Sequence, residues 1–192
     1  IVSKRLNNEL DGSIELIGGG GSGNIDIQGI RIDHSTLISD SSIQFKGVGG
    51  SASTTITDGS GVYLDSTLLG AQKINLMGVG GEATGVFGSN GLEIYNSMLA
   101  GRNGLTLEGR GGKTTSSTEQ AVNVSGIRLD EQSRLQSTGL IKVIATGGAA
   151  AGESDMSSGL YLYGATIKTD GDIEITGSGG TGSEVTFTNG AA

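Results

Sequence analysis

Gly29-Ile30-Arg31-Ile32-Asp33, then Ser35-Thr36-Leu37, then Ile43-Gln44-Phe45 and Gly47-Val48-Gly49-Gly50, is the stretch that decides the fold. Apolar and polar residues alternate inside each burst, the period of a strand with one buried face. Short polar or glycine turns separate the bursts. No segment shows a 3.6-residue period with helix caps.

The same order returns along the chain. Gly61-Val62-Tyr63-Leu64-Asp65, Gly91-Leu92-Glu93-Ile94, Gly126-Ile127-Arg128-Leu129-Asp130 and Gly159-Leu160-Tyr161-Leu162 open further units, at glycine intervals of 32, 30, 35 and 33 residues. Second bursts are Ser66-Thr67-Leu68, Ser97-Met98-Leu99, Ser133-Arg134-Leu135 and Ala165-Thr166-Ile167. Third bursts are Ile74-Asn75-Leu76, Leu105-Thr106-Leu107, Ile141-Lys142-Val143 and Ile173-Glu174-Ile175, each six residues past the second aliphatic residue. A Gly-x-Gly-Gly follows at Gly47, Gly78, Gly109 and Gly177, with Ala145 in the first place once. Ile14-Glu15-Leu16 before Gly18 reads as the third burst of an earlier, degenerate coil.

Three short strands per unit, with no room for a crossover helix, predict an all-β fold. We read it as a right-handed parallel β-helix, a three-sided β-solenoid of five to six coils of 30–35 residues. The whole chain, 1–192, is one solenoid segment. Residues 1–28 form the degenerate first coil; 29–60, 61–90, 91–125, 126–158 and 159–190 are the repeat coils. Stacking predicts inward ladders such as Ile30/Val62/Leu92/Ile127/Leu160 and Ile32/Leu64/Ile94/Leu129/Leu162. Leu37/Leu68/Leu99/Leu135/Ile167 line the second face, and Ile43/Ile74/Leu105/Ile141/Ile173 the third. A single coil cannot bury such residues, but neighbours bury them for each other. The outward column Arg31, Tyr63, Glu93, Arg128, Tyr161 reads as a solvated face on which Glu93 and Arg128 can pair. The glycine corner calls for positive φ or close backbone approach.

Composition fits this reading. The 192 residues include 37 glycines and no proline, cysteine or tryptophan. Proline would remove a ladder donor from strands paired on both sides. The net charge of −8 disfavours nucleic acid. No run of 18 apolar residues offers a membrane-spanning helix. The absence of cysteine removes disulfides and thiolate metal sites. The chain opens at Ile1 with no initiator Met and no signal-peptide pattern, which reads as a fragment or a processed product. Neither terminus offers a polar capping unit, so the rod is expected to continue into further coils or pack end to end on a copy of itself.

The pattern Gly-Ile-x-Ile-Asp-x-Ser-Thr-Leu … Ile-x-Phe/Leu-x-Gly-x-Gly-Gly resembles the repeats of filamentous-haemagglutinin-like proteins, including the long cyanobacterial examples. The resemblance covers about residues 11–180. It implies a right-handed β-helix shaft of an exported protein, often a two-partner-secretion adhesin. The amino-terminal secretion domain of that family is not recognisable in this chain.

Few residues invite a chemical role. His34, the only histidine, lies between Asp33 and Ser35, but sequence neighbours at a turn lack the convergence of a catalytic triad. One histidine and no cysteine make a poor zinc site. Asp33 and Asp65 would stack near 4.8 Å in adjacent coils, close to the roughly 5–5.5 Å of a retaining glycosidase. Asp130 shares their position, while Tyr95 and Tyr163 replace them elsewhere, and aspartate there reads first as a turn former. Tyr63, Tyr161 and Tyr163 could stack on sugars, but Tyr63 and Tyr161 lie three coils apart. The column Thr36, Thr67, Met98, Arg134, Thr166 breaks any regular threonine array. The Gly-x-Gly-Gly elements recur as corners and do not open helices, so they are not read as phosphate cradles. The variable loops 51–60, 82–90, 113–125, 149–158 and 181–190 should leave one edge, with Lys113 to Ser125 the preferred interaction loop.

No catalytic, cofactor-binding or metal-binding residue is therefore assigned. The expectation is a non-enzymatic structural shaft of a secreted or surface-attached adhesin or extracellular fibre. Its partners would be further coils, copies of itself, or a host-surface or matrix ligand. The alternatives are a carbohydrate-active β-helix, lyase or hydrolase, and a calcium-stabilised secreted repeat.

Overall fold

Strand pairing runs between coils rather than within them. In the computed structural model, residues 12–23, 27–52, 58–83, 88–114, 123–130, 132–150 and 157–181 are described. They form strands and turns and no helix, stacked as a parallel β-solenoid. Face one is a sheet of five strands, Ile30–Asp33, Val62–Asp65, Leu92–Tyr95, Ile127–Leu129 and Leu160–Leu162. All its pairings are parallel and join residues about thirty positions apart, such as Ile30 with Val62 and Leu92 with Ile127. Five stacked first strands make about four turns among the described residues, one to two fewer than the expected five to six coils.

Faces two and three share one sheet. The reason lies in one column at the corner between them. Ser39, Ser137 and Thr169 each accept an amide hydrogen from the residue two positions on, at 3.0–3.1 Å, a hydroxyl-closed turn that ends the strand. Ala71 and Gly101 occupy the same column without a hydroxyl. In those two coils the strand runs through the corner, as Leu68–Val79 and Met98–Arg110.

Face three is in the expected register from end to end, including the early coil: Ile14 pairs with Ile43, Ile43 with Ile74, Ile74 with Leu105, Leu105 with Ile141 and Ile141 with Ile173. The glycines that follow show which of the two expected reasons holds. The corner glycines Gly47, Gly78 and Gly109 do not have positive φ. They are close approaches: a Cβ on Gly78 would sit 2.0 Å from the Gly91 carbonyl oxygen. Beyond them, two-residue strands Ser22–Gly23, Ser51–Ala52, Glu82–Ala83 and Lys113–Thr114 form a short further sheet.

Face two corrects the expected register in one coil. Leu37 and Leu99 both pair with Leu69, and the outward Thr36 and Met98 pair with Leu68. The buried column is therefore Leu37, Leu69, Leu99, Leu135, Ile167, and the outward one Thr36, Leu68, Met98, Arg134, Thr166. Leu69 lies seven residues past Val62, as Leu37 does past Ile30 and Leu99 past Leu92. The step from Leu69 to Ile74 is then five residues, against six from Leu37 to Ile43. The shorter corner is matched by a bulge in the next coil, between Gly101 and Gly104. Thr67, expected outside, is buried.

The core is a stack of aliphatic ladders, with Phe45 its largest fully buried side chain. Burying one such side chain is worth about 1.5–3 kcal/mol. Each residue is covered by its homologues above and below. Leu107 and Val143 are fully buried, whereas Ile175, in the last described coil of the same column, is 41% exposed. The corrected register predicts unequal effects at neighbouring leucines. Leu69→Ala should destabilise by about 2–5 kcal/mol, and Leu68→Ala by less than about 1 kcal/mol, read from urea unfolding of the two variants. Equal losses would restore the original register.

Candidate functional site

The first corner of each coil is built on a left-handed residue. His34, Ser66, Asn96, Gln132 and Gly164 have φ of 46°, 49°, 41°, 62° and 67°. In the fourth of these coils two residues, rather than one, separate Asp130 from the next serine, and the second takes the left-handed place. His34 is one of these corner residues, exposed to solvent. His and Asn tolerate this backbone region better than branched residues do.

The hydroxyl residue that follows locks the corner and joins coils. Ser35 Oγ donates to the Asp33 carbonyl at 2.7 Å, and Ser97 Oγ to the Tyr95 carbonyl at 2.6 Å. Ser97 Oγ also accepts the Thr67 amide hydrogen at 3.0 Å. Ser133 Oγ donates to the Ile94 carbonyl of the previous coil at 2.9 Å. Thr67, Ser97 and Ser133 are thus buried structural groups. A groove of about 560 Å³ runs beside these corners, lined by His34, Ser66, Asn96, Thr36, Leu68 and Met98 among others. It is wide open to solvent, which makes it a weak ligand cavity.

The densest chemistry lies on the outer side of face one. Arg31 stands 5.1 Å over the Tyr63 ring. Tyr63 meets Tyr95 at 5.7 Å between ring centres, tilted by 44°. Arg128 lies 5.3 Å over Tyr95 and 5.5 Å over Tyr161. Tyr63 and Tyr161, three coils apart, are therefore linked by Tyr95 and Arg128 into one array, a continuity the sequence did not predict. Tyr95 is the missing link because it sits diagonally from Tyr63, within reach of an aromatic ring. Tyr163 is exposed and stands outside the array.

The carboxylates of this face are partnered. Arg31 Nε donates to Asp33 Oδ2 at 2.7 Å. Arg128 reaches Asp130 Oδ2 at 2.6 Å and comes within 3.9 Å of Glu93 Oε1, the cross-coil pair expected from the sequence. Glu93, however, is only 5% exposed and Asp130 equally so, not solvated. Tyr95 Oη donates to Glu93 Oε1 at 2.5 Å. Burial, then the Glu93 charge, pushes the Tyr95 phenol well above its usual range. Burial, then Asp65 and Glu93, pushes Tyr63 up to about 12. Burial opposes the Arg128 charge, but Tyr95, Glu93 and Asp130 hold it above its ordinary value.

Asp33 and Asp65 are neighbours in register, as the stacking required. They are flanked by the Arg31 ion pair on one side and by the Ser66 hydroxyl, which donates to Asp65 Oδ1 at 3.0 Å, on the other. Asp33 Oδ1 is buried without a hydrogen-bond partner. Among the described residues no three His, Cys, Asp or Glu side chains converge as metal ligands, and no helix is long and apolar enough to cross a membrane. The loop bases stack along one edge: Ser51 on Glu82, Glu82 on Lys113, Lys113 on Ala149 and Ala149 on Thr181. Most of each loop beyond these bases, including 115–122 of the preferred interaction loop, lies outside the described residues.

The array predicts that Arg128 matters most. Arg128→Leu would leave Glu93 and Asp130 as buried carboxylates without their cation, costing about 3 kcal/mol or more. Arg128→Lys should recover less than half of that, since lysine cannot give the forked contact and the ring stacking together. Urea midpoints of the two variants check both statements.

No protein-family model, no curated protein and no solved structure matches the chain.

Proposed function

We propose that this chain is a non-enzymatic structural shaft from a secreted or surface-attached adhesin or extracellular fibre, of the filamentous-haemagglutinin-like kind. The observation that carries this reading is on face one. Its aromatic and charged side chains are engaged with one another across coils. Tyr63 has Arg31 and Tyr95 against it, and Tyr95 has Tyr63 and Arg128. Sugars stack on open aromatic faces, and these faces are already occupied. The interaction energy goes into holding one coil to the next, which suits a rod. Ligand contact is then assigned to the variable loops, whose bases line one edge.

The reading places the protein outside the cell. Antibody to this segment should label intact, unpermeabilised cells of the organism that makes it, or their culture medium. Labelling only after permeabilisation would overturn the assignment.

One observation favours a second reading, a carbohydrate-active β-helix: the in-register Asp33–Asp65 pair with its unpartnered Asp33 oxygen. A panel of acidic and neutral polysaccharides separates the two. The shaft reading expects no cleavage. Cleavage that disappears in Asp33→Asn or Asp65→Asn would establish the enzyme instead.

A further inference from the structure

Ser60 connects the half-buried Asp58 carboxyl to the buried Glu93 carboxyl of the next coil. Its Oγ lies 2.6 Å from Asp58 Oδ1 and 2.6 Å from Glu93 Oε2. Ser60 is fully buried and Glu93 nearly so. A hydroxyl has one proton and donates it to one acceptor. The second contact, equally short, also requires a proton between its oxygens. With both carboxyls ionised, that proton does not exist.

The other partners of the pair cannot supply it. Asp58 Oδ1 accepts the Ser60 amide hydrogen at 2.9 Å, and Asp58 Oδ2 accepts from Gln28 Nε2 at 3.1 Å. Glu93 Oε2 accepts from Asn90 Nδ2 at 3.1 Å, and Glu93 Oε1 from Tyr95 Oη at 2.5 Å. Each of these donors already satisfies a different lone pair. Of the nearby cations, Arg31 is paired with Asp33, and Arg128 is held at 2.6 Å by Asp130 and lies 3.9 Å from Glu93 Oε1, away from the Oε2 that meets Ser60. Among the described residues, the charged and titratable groups on this side include these two arginines, Asp33, Asp65, Asp130, Tyr63, Tyr95 and Tyr161.

We infer that Asp58, Ser60 and Glu93 hold one shared carboxyl proton, and that this hydrogen-bonded bridge is a latch between coils that loosens when the proton leaves. The fourth coil contains a neutral version of the same turn. Asn123 Oδ1 accepts from the Ser125 amide at 3.1 Å and from the Ser125 hydroxyl at 2.5 Å. The residue that stacks in the Glu93 column one coil beyond it is Tyr161. An amide therefore stands where the neighbouring coil offers a phenol, and a carboxyl where it offers a glutamate.

Burial, then the Glu93 charge, pushes Asp58 from its ordinary 3.8 up to about 6. A carboxyl raised in the folded state stabilises most at low pH. The latch is fully formed below about pH 4 and is lost as the pH rises through about 6. The shaft is accordingly firmer in mildly acid surroundings than at neutral pH, at this junction.

Carbon-13 NMR of the side-chain carboxyls, from pH 3.5 to 8, tests the proton directly. One carboxyl of the Asp58–Glu93 pair should titrate about two units above ordinary aspartate, and that transition should vanish in Asp58→Asn. Amide exchange, corrected for intrinsic rates, tests the latch. Protection of residues 61–65 and 91–95 should fall at least about tenfold between pH 5 and pH 7.5, and stay level in Asp58→Asn; tenfold corresponds to one unit of such a shift. Both carboxyls titrating below about pH 5 would overturn the shared proton. An unchanged pH dependence of protection in Asp58→Asn would overturn the latch. If Asp58→Asn does not fold, the titration of the unaltered protein decides alone.

Discussion

Each coil's strands find their hydrogen-bond partners on the coils above and below. Ile30 pairs with Val62, Val62 with Leu92, Leu92 with Ile127 and Ile127 with Leu160. In-register parallel pairing has a consequence for every side chain. A residue's surroundings are set by its homologues about thirty positions away, not by its sequence neighbours. Ladders of like residues follow, because a buried Leu is best covered by another aliphatic residue directly above it. The same rule makes burial depend on position in the stack, which is why Ile175 is exposed while Leu107 is not.

Corners absorb what ladders do not allow. A coil must return to register after each circuit, so an extra or missing residue has to appear at a turn. The first corner takes an additional residue before Ser133. The second corner is one residue shorter after Leu69 and bulged at Gly101–Gly104. Polar backbone groups freed at these turns are recovered by serine and threonine hydroxyls, at Ser97, Ser133, Ser137 and Thr169. A buried donor left without a partner costs about 1–3 kcal/mol. That makes the small hydroxyl residues of the repeat as structural as its leucines.

Face one shows how an outward surface becomes an internal one. Arg31, Tyr63, Tyr95, Arg128 and Tyr161 form a chain of ring and guanidinium contacts across the coils. Glu93 and Asp130 are drawn beneath it and held by Arg128, Tyr95, Ser60 and Asn90. Contacts of this kind favour one register over a slipped one, since a one-coil mismatch would leave buried carboxylates without donors. The mixed chemistry also avoids a flat, self-pairing surface.

The repeat by itself determined the β-solenoid, the inward columns of faces one and three, the early Ile14–Leu16 strand and the glycine corner. Alternation with a constant thirty-odd-residue return leaves no other way to bury those aliphatic residues. It left the Leu68–Leu69 choice open, since both are leucine and only the pairing partners distinguish them. The seven-residue step from Val62 was the available signal. The burial of Glu93, the role of Tyr95 and the meeting of Asp58, Ser60 and Glu93 were decided by the tertiary structure alone. These depend on diagonal reach between coils and on side chains crossing from one coil's entry turn to the next coil's strand. One-dimensional spacing contains no such distance.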